Sequence, residues 1–549
     1  MKRETIRRKA KSRFLAALGM TVVVRPALLS LAISASFALN INAQVTSQRL
    51  LESAKEPQNW LMYSGDYAGH RFSALEQINT TNAASLVPRW AYQTMGGGKF
   101  ETTPLVVDGI LYATGQDDRA FALDARSGRP IWQYQRALPS DIRPCCGRVN
   151  RGLAIYGDKV FLGTLDSHVI ALDAKTGNVV WDVTAFDYRQ GYSITLAPLV
   201  IKNLVMIGVS GGEYGIRGFI DAYDAATGER KWRFYTVPGP GEPGHESWEG
   251  DSWKIGGAPA WITGSYDPVT NTTFWTTGNP SPSNRGEGRS GDNLYSNSLL
   301  ALEPDTGKLK WFFQFTKHDE HDYDATQVPV MVDQGDQHLI LQANRNGFFY
   351  VIDRASGKLI SANPYAKVTW SDSKDASGAP VARKDASPTL EGNRVCPGAA
   401  GATNWMSPTY DPQTQLFYVT AREQCDIFST APQPYEAGHA YYGSAYFPND
   451  DAAPFWGALR AIEPVTGRTK WEWKHPSPTW SGVLSTAGGL VFTGDAEGNF
   501  IALDAASGQA LWHFQCGASV YSSPMSFAVD GRQFIAVAAG SALFTFALP

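Results

Sequence analysis

Charge is scarce in this chain: Asp, Glu, Lys and Arg make up 18 % of its 549 residues. A chain so poor in charge offers no tract of disordered composition beyond its N-terminal region. Nor is there an excess of basic residues. The net charge is −4, and beyond residue 43 the balance is 40 basic against 51 acidic residues, a net of −11. That argues against a nucleic-acid partner, whose phosphates need a basic face, and is compatible with a basic protein partner. No apolar run after residue 43 approaches the roughly 20 residues that cross a bilayer. Cysteines number only five, and none belongs to a Cys-x-x-Cys-His motif, so the chain carries no c-type haem of its own.

Turn formers and aromatics are plentiful instead. With 53 Gly, 32 Pro, 17 Trp and 12 % aromatic residues, the composition is that of a rigid, turn-rich all-β protein. The first 43 residues differ. Eight basic side chains between Lys2 and Arg25 precede an apolar run at 27–39 and the small-residue site Ile41-Asn42-Ala43. Residues 1–43 read as an export signal cleaved near Ala43, placing the mature chain in the periplasm; an uncleaved anchor is the alternative, although Arg25 interrupts its apolar run. Residues 44–549 read as one domain. In an oxidising compartment the five cysteines suit two disulfides and one spare thiol.

One pattern recurs: Ala-x-Asp/Glu-x-x-Ser/Thr-Gly-x-x-x-Trp, at residues 122–132, 171–181, 222–232, 301–311, 461–471 and 502–512. Each copy reads as strand, tight turn, strand, with the tryptophan closing against the next unit. Four-stranded units repeated every roughly 40–60 residues predict a β-propeller with tryptophan-docking repeats, and the chain has room for eight blades. The strand near Trp90 should complete the blade that ends at Leu548. The repeat accounts for its tryptophans as packing residues, not site residues.

Two features fall outside the repeat. His318-Asp319-Glu320-His321-Asp322-Tyr323-Asp324 packs four carboxylates and two imidazoles into seven residues. Such runs are ordinarily solvated loops. In an extended segment, however, Asp322 and Asp324 would point to one side, a juxtaposition that a hard cation relieves. Cys145 and Cys146 are adjacent, with Cα atoms about 3.8 Å apart. A bond between them distorts the intervening peptide, a strain tolerated mainly at functional sites.

Cys145-Cys146-Gly147-Arg148-Val149-Asn150-Arg151-Gly152, Ser210-Gly211-Gly212-Glu213, Thr277-Gly278-Asn279-Pro280 and the acidic stretch together resemble the pyrroloquinoline quinone (PQQ)-dependent methanol/ethanol dehydrogenase family, from about Trp60 to the C-terminus. The resemblance implies a PQQ cofactor and one metal ion. Glu213, Asn279 and Asp322 match the metal ligands and the catalytic aspartate, with Arg345 beside the reacting centre. Cys145 and Cys146 match a vicinal disulfide on one face of the quinone, and Trp261 the indole on the other. Glu101, Arg151, Thr195, Ser210, Gly211, Gly212, Arg345, Asn404 and Trp480 match cofactor-binding positions. Cys396 and Cys425 match a second disulfide; Cys516 has no counterpart.

Asp324 stands where calcium members have a small uncharged residue and lanthanide members a second aspartate, so the resemblance favours a lanthanide over Ca²⁺. Departures are His321, where a tryptophan is usual, and Gly212, where an alanine is common. The first is expected to reshape the substrate pocket and the second to loosen the ligand loop. The implied activity is oxidation of a small, primary alcohol, with electrons passed to a soluble cytochrome c; a homodimer is left open. The alternatives are a non-catalytic propeller scaffold of the outer-membrane assembly type, and a family member acting on polyols, sugars or aldehydes.

Overall fold

The repeat unit shows why these residues form these elements. In the pair Arg119–Asp124 and Pro130–Gln135, Asp124 Oδ1 accepts from the Ser127 amide at 2.9 Å and the Ser127 hydroxyl at 2.8 Å. The Gly128 amide donates to the Asp124 carbonyl at 2.8 Å. Gly128 has φ +71°, a left-handed conformation that glycine adopts without steric cost. The same aspartate, hydroxyl and glycine build the turns at Asp173–Gly177, Asp224–Gly228 and Asp504–Gly508.

The protein, seen here as a computed structural model describing residues 44–449 and 454–549, is an all-β propeller. The export reading of residues 1–43 lies outside the described residues. Seven four-stranded sheets and one five-stranded sheet are described, each built mainly of antiparallel neighbours in chain order. Val87–Gln93 pairs with Ala542–Ala547, so one sheet joins the two ends of the chain as the sequence predicts. Phe72–Ser73 adds a parallel edge to Val483–Thr486. The sole α-helix among the described residues is Ser47–Leu51, and no described helix is long and apolar enough to cross a membrane.

Inner strands are buried on both faces, as in Leu204–Gly208, whereas last strands such as Val179–Thr184 alternate between exposed and half-buried residues. Between successive sheets sit the repeat tryptophans. The indole N–H of Trp132 donates to the Ala174 carbonyl at 2.9 Å, that of Trp232 to Pro304 at 2.9 Å, and that of Trp512 to Leu86 at 3.1 Å. The rings of Trp132, Trp181, Trp232, Trp311 and Trp471 also lie on the turn glycine of the following unit. A Cβ at Gly177 would come within 2.6 Å of the Trp132 ring, and one at Gly128 within 2.6 Å of Trp90. The glycine is thus demanded twice, by its φ and by the ring above it.

Gly177→Ala should therefore cost about 1–3 kcal/mol, combining left-handed strain with overpacking. Gly157 also has a positive φ, +62°, but open space around its Cβ direction. Gly157→Ala should cost only the strain, about 1 kcal/mol. Denaturant midpoints of the two variants against wild type check the difference; equal losses would remove the ring contact from the account.

Candidate active site

One cavity of about 320 Å³ is lined by residues from nearly the whole length of the chain. Of the residues singled out in the sequence, Glu101, Cys145, Cys146, Arg151, Thr195, Ser210, Gly211, Glu213, Trp261, Asp322, Asp324, Arg345, Asn404 and Trp480 line it. Gly212 and Asn279 lie just behind. A Cβ on Gly212 would stand 2.5 Å from Asn279 Oδ1, so the glycine makes room for that oxygen.

At one end the acidic stretch resolves into separate jobs. Asp319 accepts from the amides of His321 and Tyr323 at 3.0 and 2.7 Å and so holds the turn. Glu320 accepts from the Gly286 amide at 2.8 Å. Only Asp322 and Asp324 reach the cavity. The segment is not extended, as the spacing suggested: Asp322 has φ +61°. The two carboxylates share a side because Arg345 ties them, Nη2 to Asp322 Oδ2 at 2.7 Å and Nη1 to Asp324 Oδ2 at 2.6 Å. Arg345 is held in turn by the Ala399 carbonyl, 2.9 Å from its Nε. Asp324 Oδ1 also accepts from the Asn279 amide at 2.6 Å.

Glu213, in the short turn Gly212–Tyr214, completes the group. Its Oε1 lies 4.0 Å from Cys146 Sγ, but that sulfur is bonded to Cys145, so no thiolate is available there as a ligand. Burial first, and then the charge of Asp324, pushes the Glu213 carboxyl up to about 7. Burial likewise raises Asp322 well above the usual carboxylate range and raises Asp324, each against the pull of Arg345. Burial opposes the Arg345 charge, but Asp322 and Asp324 more than restore it. Three carboxylates facing one guanidinium leave an excess of negative charge in a dry place. Asn279 Oδ1 and Asp322 Oδ1 are buried with no hydrogen-bond partner. Carboxylate and amide oxygens without imidazole or thiolate are the donors a hard cation takes, so the site fits one.

The other end is a cationic and aromatic cradle. Arg151 pairs with Glu101 at 2.7 Å and donates to the Thr195 hydroxyl at 2.9 Å, which shares a 2.8 Å hydrogen bond with Ser210. The Arg151 guanidinium lies 4.9 Å from the Trp261 ring centre. Trp480 stacks on Trp405, 4.5 Å apart and 4° from parallel. Arginine, hydroxyls and flat rings suit an aromatic polycarboxylate such as PQQ.

Lys99, Trp405, Tyr442 and Tyr446 line the cavity without having been singled out. Lys99 and Trp405 neighbour the matched Glu101 and Asn404 and could have been found by that closeness. The two tyrosines carried no signal. They come from the stretch 432–449, an insertion between repeat units that docks on the ligand turn, where the Tyr441 amide donates to the Glu213 carbonyl at 2.6 Å. His321 corrects an expectation: it does not line the cavity but stacks on Tyr323 and bonds the Ala386 carbonyl at 2.8 Å. The Cys396–Cys425 disulfide is formed, and Cys516 is free and half-buried.

A propeller with one such cavity, pairing a flat-ring cradle with a nest of buried carboxylates, is that of a cofactor-dependent oxidoreductase. Residues 60–381 and 452–535 match the β-propeller domain of the PQQ-dependent glucose/ethanol/alcohol dehydrogenases. The chain is 40 % identical over 532 residues to the quinoprotein alcohol dehydrogenase PedH of Pseudomonas putida, covering 91 % of this chain and 89 % of that one. It is 34 % identical to the lanthanide-dependent methanol dehydrogenase of Methylacidiphilum fumariolicum, covering 92 % and 89 %. A europium-containing methanol dehydrogenase superposes with a TM-score of 0.87 at 32 % identity, covering 91 % of this chain and 100 % of that one. The chain belongs to the family of PQQ-dependent alcohol dehydrogenases, and the scaffold alternative falls.

Proposed function

We propose that this protein oxidises a small primary alcohol, with Asp322 as the general base, and passes the electrons to a soluble cytochrome c. The observation that carries the reading is the meeting, in one cavity, of Asp322 tied to Arg345 with the Cys145–Cys146 disulfide and Trp261. Glu213, Asn279, Asp322 and Asp324 would hold the metal, a lanthanide in preference to Ca²⁺. PQQ, when bound, would supply the hydride acceptor, and the metal ion a Lewis acid.

The protein's own residues do the rest. Trp261 and the disulfide offer surfaces for the two faces of a flat ring. Arg151, Thr195, Ser210, Asn404 and Trp480 would hold its carboxylates and carbonyls. Asp322 takes the alcohol's hydroxyl proton, and Arg345 aims that carboxylate and favours its charged form against the effect of burial. Tyr442 and Tyr446 line the same cavity wall as Asp322. The eight sheets are read as eight blades sealed by tryptophan docking, and residues 1–43 as an export leader to the periplasm.

The test is reconstitution. Protein refilled with PQQ and either La³⁺ or Ca²⁺ should oxidise ethanol to an artificial dye without nicotinamide. No PQQ binding with either ion would overturn the reading. Opening the Cys145–Cys146 bond with a phosphine reductant should lower dye reduction while the circular dichroism spectrum stays unchanged.

A further inference from the structure

Three cations line the cavity: Arg151, Arg345 and Lys99. Two are already neutralised by the protein, Arg151 by Glu101 at 2.7 Å and Arg345 by Asp322 and Asp324 at 2.7 and 2.6 Å. Lys99 is different. Among the described residues it has no carboxylate within ion-pair distance. Its ammonium lies instead among three aromatic rings, 5.7 Å from the centre of Trp405, 6.0 Å from Trp480 and 5.9 Å from Tyr521. The nearby Glu101, which senses the lysine's charge, is committed to Arg151.

The segment bearing Lys99 is built to adjust. Met95-Gly96-Gly97-Gly98-Lys99 links the strand Val87–Gln93 to Glu101, with Met95 83 % exposed. Gly97 and Gly98 have nothing within 4 Å of a Cβ position, so no packing pins the backbone there. Gln116 anchors the segment through the Gly98 carbonyl at 3.2 Å. A lysine on a short, loosely packed glycine tether at the wall of this cavity is a point charge placed to meet an anion. Lysine suits that part better than arginine, because its compact ammonium can follow a carboxylate without a fixed fork geometry.

We propose that Lys99 is a cofactor-binding residue: its ammonium leaves the Trp405–Trp480–Tyr521 cage to pair with a carboxylate of PQQ. The proposal rests on the PQQ reading above and extends it to a residue outside the matched motifs. Arg151 and Arg345 bring little net charge to the cofactor because their own acids cancel it. Lys99 supplies the uncancelled positive charge at the cradle end, opposite the metal end.

The test is titration of metal-loaded apo-protein with PQQ, followed by quenching of tryptophan fluorescence, at about 50 and 500 mM salt, where screening differs severalfold in range. Lys99→Met should raise the Kd at least about tenfold, the scale of one charge-assisted bond, and flatten its salt dependence, while Lys99→Arg keeps most of the affinity. Thermal midpoints without PQQ should be equal in all three proteins, which a merely structural lysine would not give. A Kd for Lys99→Met within about twofold of wild type, or an unchanged salt slope, overturns the proposal and leaves the cofactor reading standing. Failure of wild type itself to bind PQQ overturns both.

Discussion

Asp322→Asn should fold as the wild type does and lose turnover by about 10³-fold, within the range that a positioned general base contributes. Folding is preserved for a specific reason. Asp322 has φ +61°, a region where asparagine is as well accommodated as aspartate, and the amide is nearly isosteric. The variant keeps an oxygen for Arg345, whose second ion pair, to Asp324 at 2.6 Å, is untouched. What disappears is the ability to take a proton. Asp322 Oδ1 is the atom in question: it is buried, free of any hydrogen-bond partner, and on a residue lining the cavity. Stopped-flow mixing with alcohol should show no reduction of bound cofactor, while PQQ still quenches fluorescence. Near-normal turnover would move the base elsewhere, with Glu213 the next carboxylate on the cavity wall.

The propeller was legible because its signal is local and repeated. An Asp, a hydroxyl and a Gly at fixed offsets make a turn wherever they stand, and the tryptophan four residues after that Gly needs only the next copy's glycine. The carboxylate nest was legible for a different reason: Asp322, Asp324, Glu213 and Asn279 lie in short motifs whose order along the chain survives folding. The reason given for their convergence did not survive. Asp322 and Asp324 share a side through Arg345, about twenty residues further on, and not through a strand. Tyr442 and Tyr446 were beyond reach because their place depends on how an insertion with no repeat of its own lies across the ligand turn. His321 shows the same limit in reverse. One residue from the proposed base, it turns to Tyr323 and Phe428, and sequence adjacency says nothing about that direction.

Apo-protein refilled with PQQ and La³⁺ should be far more active than the same protein refilled with PQQ and Ca²⁺, and Asp324→Ala should abolish the advantage. The argument is one of charge. Glu213, Asp322 and Asp324 together carry three negative charges when ionised, against one positive charge on Arg345. PQQ brings further carboxylates. At equal distance a trivalent ion gains half as much attraction again as a divalent one, and in a buried site little solvent screens the difference. The deficit is visible without the ion, since Glu213 is pushed up to about 7 and the two aspartates are raised above their usual range. Metal entry must displace those protons, so apparent metal affinity should fall as pH drops below about 7. Asp324 also fixes Asn279 by accepting its amide proton at 2.6 Å, which Asp324→Ala removes along with the charge. Asp324→Asn separates the two, keeping an acceptor for the Asn279 amide while discarding the charge. If charge decides, Asp324→Asn behaves like Asp324→Ala and both lose the La³⁺ preference. Equal activity of wild type with the two ions, or an undiminished La³⁺ response in both variants, would defeat the lanthanide assignment and leave Asp324 as the residue that holds Arg345 and Asn279 in place.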